Sequence, residues 1–176
     1  MANRAAIREL QSRLATRLKA ARTEGGSVSW LAVRAGGTHY LFPLVQSGEI
    51  FPMGALQRVP YCKAWFRGVL NLRGGLFGVV DLAAFIAGGQ VPVRSELAAS
   101  EASVITFHTA LEINGALLVD ALAGLRNLES FTRADAPPTG APSYFGNRYT
   151  DAHGTFWQEI NLQTLAQMPD FLTIGI

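Results

Sequence analysis

Residues whose side chains commonly carry out chemistry are few and scattered in this chain. Its three histidines, His39, His108 and His153, lie far apart, and none has a second ligand at the spacing of a metal site. Cys62 is the single cysteine, and no histidine lies near it in the sequence to form a nucleophile–base pair. The motifs of phosphate loops, dinucleotide folds, serine hydrolases and zinc proteases are all missing. We therefore expect no catalytic residues, no metal and no cofactor, and hence no enzyme.

Polar residues at regular places in an apolar frame are concentrated between Trp65 and Leu82. Two apolar runs, 69–72 and 76–80, predict short strands joined by a tight turn. Gly74-Gly75 is the dipeptide expected to adopt positive φ there, because glycine has no Cβ to clash. Asn71 precedes this turn and Asp81 ends the second strand, where short polar side chains usually accept hydrogen bonds from free backbone amides.

Short strands and turns are also predicted for most of the remaining chain. A first hairpin is expected around Gly36-Gly37, and Asn114-Gly115 is a strong turn signal before a buried-looking strand. Near the end, Asn161 is a suitable N-cap for a short helix that stops at Pro169. Closely spaced strands with few helices are typical of small barrels or a sandwich. The predicted strands are 28–34, 38–42, 103–107, 111–113, 116–119, 149–151 and 155–159.

The segment from Trp65 to Leu82 resembles the central signature of the CheW family, the adaptor proteins of bacterial chemosensory arrays. The resemblance rests on G-V-L-N-L-R-G followed by V-V-D-L, on G-A-L-L-V-D-A-L-A-G from Gly115, and on Glu49-Ile50 upstream. These three matches occur in the family's order. The N-terminal segment and the F-L-T-I-G-I end are most similar to the twitching-motility, or PilI, type of this family. One difference is Gly78, since the family usually has proline before V-x-D-L.

The resemblance implies a mainly β fold of two small five-stranded SH3-like barrels on a shared core, with an N-terminal helix and a short C-terminal helix. It also implies a non-catalytic adaptor that couples the cytoplasmic tip of methyl-accepting chemoreceptors to a CheA-type histidine kinase, in an array that controls twitching by type IV pili. One barrel would dock on the kinase's own CheW-like domain, and the groove between barrels would receive the receptor hairpin. The alternative is a regulatory domain that binds a small molecule in that groove.

Partner contacts are predicted for a small set of residues in and near the signature. Two interpretations of Arg73 stay open: a contact with a partner, or an ion pair with Glu49 or Asp81. Of Trp65 and Phe66, one is expected in the core and the other as an exposed anchor. The predicted partner-binding residues are Glu49, Asn71, Arg73, Trp65 and Asp81.

Residues 1–24 predict a basic amphipathic helix, separate from a CheW-like domain of two β-barrel subdomains at 28–176. The segment has six arginines and lysines against two glutamates. Gly25-Gly26 is expected to end the helix and uncouple it. Three interpretations are open: packing on its own domain, a partner helix, or an anionic-membrane anchor, which would normally carry Trp or Phe. The predicted apolar face consists of Ile7, Leu10, Leu14 and Leu18.

Composition limits the remaining classes of protein. The 176 residues are 49% hydrophobic and 16% charged, which excludes a disordered tail. Charged residues interrupt every apolar run before it reaches the length of a membrane span, and the N-terminus has no signal-peptide core. A single cysteine permits no internal disulfide. No aromatic residues alternate with the basic ones as nucleic-acid binding would favour. We expect a cytoplasmic protein without membrane insertion or nucleic-acid partners.

Overall fold

Short strands separated by tight turns make up most of the fold, as the glycines and apolar runs predict. The computed structural model describes residues 2–23 and 28–176. The helices are α1 (Ala2–Thr23), α2 (Leu82–Ile86), α3 (Glu96–Glu101), α4 (Leu162–Gln167) and α5 (Pro169–Leu172). The strands are β1 (Val28–Ala35), β2 (Thr38–Pro43), β3 (Ser47–Pro52), β4 (Phe66–Leu72), β5 (Gly75–Asp81), β6 (Ser103–Phe107), β7 (Gly115–Val119), β8 (Ala121–Asn127), β9 (Phe131–Asp135), β10 (Phe145–Asp151) and β11 (Phe156–Ile160).

The strands form two sheets, which define two subdomains. The first subdomain has six strands in the order β8-β1-β2-β11-β10-β9, and the second has five in the order β3-β6-β7-β5-β4. Each sheet contains one parallel pair, β2 with β11 and β5 with β7. The predicted mainly β fold of two small subdomains is confirmed, although the first sheet has six strands instead of five. The second subdomain is inserted between β2 and β8, so the signature hairpin lies inside it.

Alternating side chains on shared strands give each subdomain its own interior and a common core. In β1, Trp30 and Ala32 join the cluster inside the first subdomain, whereas Leu31 and Val33 join the shared cluster. In β7, Leu118 lies inside the second subdomain and Leu117 in the shared core. Successive side chains of a strand point to opposite faces. Strands buried on both faces therefore read as continuous apolar runs.

Several local predictions are confirmed by the pairing of the strands. In the first hairpin Ala35 pairs with Thr38 around Gly36 and Gly37, which have φ angles of 58° and 78°. Asn161 caps α4, because its side-chain oxygen accepts a hydrogen bond from the Thr164 amide at 2.9 Å. Strands β3, β8 and β9 were not predicted, and the predicted strand 111–113 is wrong, because these residues lie in the 3₁₀ turn and loop before β7. The three missed strands lie at sheet edges, where partial exposure removes the clear apolar alternation.

The N-terminal helix packs on its own domain, the first of the three interpretations. Leu14 and Leu18 are buried in the shared core, while Leu10 is 51% exposed. Gln11 occupies the buried face instead of Leu10, and its amide donates a hydrogen bond to Ser103 Oγ at 2.7 Å. Residues 11, 14 and 18 follow the helical period more closely than a face that includes position 10. Gly25-Gly26, the predicted joint, lies outside the described residues.

In the described part of the chain, no helix combines the length and apolar character that membrane crossing requires.

Candidate functional site

The turn of the signature hairpin is shifted by one residue from the predicted position. Arg73 and Gly74 are its two central residues, with φ angles of 51° and 79°, and Leu72 pairs with Gly75. The prediction that Gly74 and Gly75 form the turn is therefore wrong. Two-residue hairpins require positive φ at both central positions. Asn71 supports this turn, because its side-chain oxygen accepts a hydrogen bond from the Gly74 amide at 3.0 Å.

This shift places Arg73 at the tip of the hairpin, beside strand β3. Its guanidinium lies 2.9 Å from the Glu49 carboxylate, and the two side chains are 64% and 38% exposed. The same guanidinium carbon lies 5.8 Å from the centre of the Phe51 ring. The sequence left Glu49 and Asp81 as alternative ion-pair partners of Arg73, and the structure contains the pair with Glu49. Exposed pairs of this kind contribute only about 0–1 kcal/mol to stability, so the charges remain available to a partner.

A groove of about 420 Å³ adjoins the ion pair. Its lining comes from β3, the β4–β5 hairpin, the end of β6 and the loop before β7, and it combines aromatic rings with charged residues. An apolar groove with a few charges is the form that partner anchors usually fit. The lining residues that carry this character are Phe51, Phe77, Phe107, Glu49, Arg73 and Glu112.

Asp81 belongs to a different, buried cluster with Arg94 and Asp120. Arg94 donates to Asp81 at 2.6 and 3.1 Å and to Asp120 at 2.5 Å. The Asp81 side chain has no exposure, and that of Arg94 is 12% exposed. Burial acts to lower the pKa of the Arg94 guanidinium, but the hydrogen bonds to Asp81 and Asp120 and their charges outweigh it and raise this pKa above its ordinary value. The guanidinium therefore stays charged between the two carboxylates.

The Arg94 cluster connects the two subdomains. Asp81 caps α2 by accepting from the Ala84 amide at 3.2 Å, and Asp120 accepts from the Gly36 amide at 2.7 Å. Gly36 lies in the β1–β2 turn of the first subdomain, whereas Asp81 ends β5 of the second. Sequence reasoning singled out Asp81 but missed Arg94. Arg94 lies in the irregular segment between α2 and α3, where no periodic pattern marks it.

Trp65 lies in the shared core and is only 6% exposed. Its ring is parallel to that of Phe171 at 6.3 Å and meets that of Phe85 edge-on at 5.1 Å. Phe66 is half-buried, so neither aromatic residue is the exposed anchor that the sequence suggested. Of the five predicted partner-binding residues, the structure brings Glu49, Arg73 and Asn71 together at the hairpin tip. Trp65 and Asp81 lie elsewhere, inside the molecule.

Comparison with known proteins agrees with this geometry. The model of the CheW-like domain matches residues 29–169, which include both sheets and the whole signature. The chain belongs to the CheW-like domain family. Protein PilI from Pseudomonas aeruginosa is 27% identical over 171 residues, which cover 93% of this chain and 89% of that protein. The fold is also that of the scaffolding protein TtCheW from Thermoanaerobacter tengcongensis, with a TM-score of 0.59 at 16% identity, over 80% of this chain and 93% of that one.

Gly78 stands where the resemblance to the signature leads us to expect proline, and the structure provides a physical reason for glycine. The Gly78 amide donates a hydrogen bond to Asn114 O at 2.9 Å, which a proline could not do. A Cβ atom at this position would lie 2.9 Å from Cε2 of the Phe66 ring. In this CheW-like chain the ring therefore occupies the space that the proline side chain would need.

Replacing Gly78 with proline should lower the free energy of unfolding by about 2–4 kcal/mol, because the Asn114 carbonyl loses its donor and Phe66 is displaced. Gly78→Ala is the matched control, since it keeps the amide and displaces only the ring, at a cost of about 1 kcal/mol. Urea unfolding of the three proteins measures both effects. A proline variant as stable as the original chain would contradict this explanation.

Proposed function

We propose that this chain is a non-catalytic adaptor that couples the cytoplasmic tip of methyl-accepting chemoreceptors to a CheA-type histidine kinase. We further propose that it acts in the cytoplasm, in a chemosensory array that controls type IV pili. The observation that carries the proposal is the exposed Glu49–Arg73 pair at the rim of the aromatic groove. Membership of the CheW-like family and the likeness to PilI support the choice of partners.

The geometry of the hairpin tip suits recognition better than it suits stability. Arg73 has a left-handed backbone, which costs a residue with a Cβ about 1 kcal/mol or more. In return the tip holds a guanidinium within reach of Glu49 and beside Phe51 while leaving most of it exposed. An exposed ion pair stabilises the fold too little to offset that backbone cost. A partner carboxylate that contacts Arg73 would bind a guanidinium that is already oriented and only partly solvated.

The other predicted residues have supporting roles in this proposal. Asn71 holds the turn that presents Arg73, through its hydrogen bond to the Gly74 amide. Asp81 and Trp65 are buried in the free chain, so we assign them to the scaffold beneath the surface and not to direct contact. The contact residues we retain are Glu49 and Arg73, with the aromatic rings of the groove as apolar anchors.

The central test of the proposal is Arg73→Ala. We expect the melting temperature to change little, because the pair is exposed. Affinity for a partner fragment should fall by roughly 2–5 kcal/mol if Arg73 is desolvated in the complex. The measurements are thermal unfolding of the free protein, and titration with the kinase's CheW-like domain and with a receptor hairpin fragment. Arg133→Ala is the control, since Arg133 forms another exposed pair, with Asp135, on edge strand β9.

A charge exchange, Glu49→Arg with Arg73→Glu, distinguishes an ion pair that is purely structural from one that contacts a partner. The exchanged pair can still form within the chain, so a purely structural pair would keep its partner affinity. A contact residue would lose affinity, because the charge presented to the partner is reversed. A large fall in melting temperature for Arg73→Ala, or unchanged affinity for both fragments, would contradict the assignment of Arg73.

The alternative of a small-molecule sensor in the groove between the subdomains has less support. Helix α1 lies along that seam, and the spaces beside it measure about 130 and 200 Å³. Typical ligand sites occupy about 300–1,000 Å³. The larger groove of about 420 Å³ lies on the second subdomain, where it adjoins the Glu49–Arg73 pair. We therefore propose only the adaptor function.

A further inference from the structure

Helix α1 lies across both subdomains at once. It contacts β8 of the first subdomain, β3 of the second, the 3₁₀ turn Leu44–Gln46 that connects them, and α3. Leu14 and Leu18 enter the shared core, which also contains Leu31 of the first subdomain and Ile50 of the second. The seam between the two sheets is therefore a groove that holds a helix, and in the free chain the helix is the protein's own.

The attachment of α1 is confined to one narrow face. In the part of the helix whose side chains are described, only Gln11, Leu14 and Leu18 are buried. The sole polar anchor among them is the hydrogen bond from Gln11 to Ser103 at 2.7 Å. The remaining surface is exposed and basic, with one internal ion pair between Arg13 and Glu9. The residues that give this surface its positive charge are Arg4, Arg8, Arg13 and Arg17.

Open crevices flank α1 on both sides. A space of about 130 Å³ separates its small residues Ser12, Ala15 and Thr16 from the Glu49–Arg73 pair. A second space of about 200 Å³ lies between Ile7, Leu10 and the start of β8. Both crevices open to solvent at the margins of the helix, so the contact that holds α1 is the narrow buried face of Gln11, Leu14 and Leu18.

We propose that α1 is a displaceable occupant of the groove between the subdomains and competes there with the receptor helix. This inference rests on the proposed function, which assigns the receptor contact to Glu49 and Arg73, and both residues line the crevice beside α1. Displacement would open the seam beside Glu49 and Arg73, so that the helix and the ion pair act on one partner surface. An apparent affinity falls by the fraction of molecules in which the groove is closed, so the docked helix lowers affinity for the receptor without contacting it.

The test uses the full chain and changes only how firmly α1 is held. Leu14→Ala weakens docking, and Leu10→Ala is its matched control, because Leu10 is 51% exposed and lies on the same helix. Leu10→Cys with Glu101→Cys, in a Cys62→Ser background, permits a short bis-maleimide to link the helix to α3, because both residues line the same open crevice. The same double variant without the reagent is the control for the link. The probe is the purified cytoplasmic hairpin fragment of a methyl-accepting chemoreceptor from the same genome.

We expect Leu14→Ala to bind the receptor fragment about tenfold more tightly and Leu10→Ala to remain within about twofold of the original chain. The linked protein should bind at least about tenfold more weakly than its unlinked control. Adding the fragment to the original chain should speed amide exchange in α1 and slow it in β3. Binding to the kinase's CheW-like domain should stay unchanged in all variants, because the proposed competition involves only the receptor helix.

The outcomes separate the two proposals. If the fragment binds every variant equally and α1 amides stay protected in the complex, the adaptor function stands and the competing helix is wrong. If the fragment binds none of the variants, including Leu14→Ala, the receptor-coupling function is wrong and this inference falls with it. A linked protein that binds as well as its unlinked control would overturn the inference even if Leu14→Ala strengthens binding.

Discussion

Replacement of Arg94 with methionine should lower the free energy of unfolding by about 3–5 kcal/mol, one of the two largest effects we expect from a single substitution. The guanidinium is the partner of the Asp81 carboxylate, which has no exposure, and it also binds Asp120. Methionine fills a similar volume but supplies no charge or donor, so it leaves a buried carboxylate uncompensated. Loss of the cluster would also loosen the β1–β2 turn, which Asp120 holds through the Gly36 amide. Urea unfolding of the variant and the original chain measures the difference.

Arg133→Met is the matched control for this prediction. Arg133 also pairs with a carboxylate, that of Asp135 at 2.8 Å, but its side chain is 72% exposed. Its loss should therefore change the free energy of unfolding by about 0–1 kcal/mol. Equal effects of the two substitutions would show that burial of the Arg94 cluster does not decide its contribution, and that the link between the subdomains lies elsewhere.

Gly68→Ala should be about as damaging, with an expected loss of about 3–5 kcal/mol. Gly68 has a φ of 131°, a backbone conformation that residues with a Cβ rarely adopt. A Cβ at this position would lie 2.2 Å from the backbone oxygen of Gln57. That backbone cannot easily move away, because Gln57 and Val69 exchange two hydrogen bonds of 2.9 and 2.8 Å. The thermal midpoint and the urea midpoint should both fall.

Gly124→Ala is the control that separates the cost of backbone strain from the cost of steric overlap at Gly68. Gly124 also lies in a strand at positive φ, 93°, but nothing lies within 4 Å of its Cβ position. Only the backbone cost of about 1–2 kcal/mol should remain there. The difference between the two variants measures the close approach of β4 to the segment before it. If Gly68→Ala costs no more than Gly124→Ala, that approach does not constrain the signature hairpin.

The effect of a substitution in the signature should depend on whether the residue is exposed or buried in the structure, and not on where it lies in the sequence. Arg73 and Asp81 belong to the same short signature, yet the first is 64% exposed at a tip and the second is fully buried. We expect substitutions at Arg73 to act on partner affinity and substitutions in the Arg94 cluster to act on stability. A motif that is continuous in sequence thus divides into an exposed tip and a buried support beneath it.

Local chemistry allowed much of the fold to be predicted from the sequence. The glycines of the first hairpin, the Asn161 cap and the apolar runs of β1, β4 and β7 act over a few residues, so their effects can be read along the chain. The resemblance to the CheW-like family supplied the two-subdomain arrangement and drew attention to Glu49 and Arg73. These two residues are 24 positions apart, and an ion pair between them remained one alternative among several until the strands were in place.

Tertiary structure alone decided the features that depend on which distant segments meet. The turn could have centred on Gly74-Gly75, but the pairing of Leu72 with Gly75 places Arg73 at its tip. Arg94 has no local signal, and only the insertion of the second subdomain brings it between Asp81 and Asp120. The sequence by itself determined the family, the mainly β class and the local turns and caps, because short-range sterics and hydrogen bonds specify them. The structure decided which charges are buried and which groove α1 occupies, because burial depends on contacts between residues far apart in the chain.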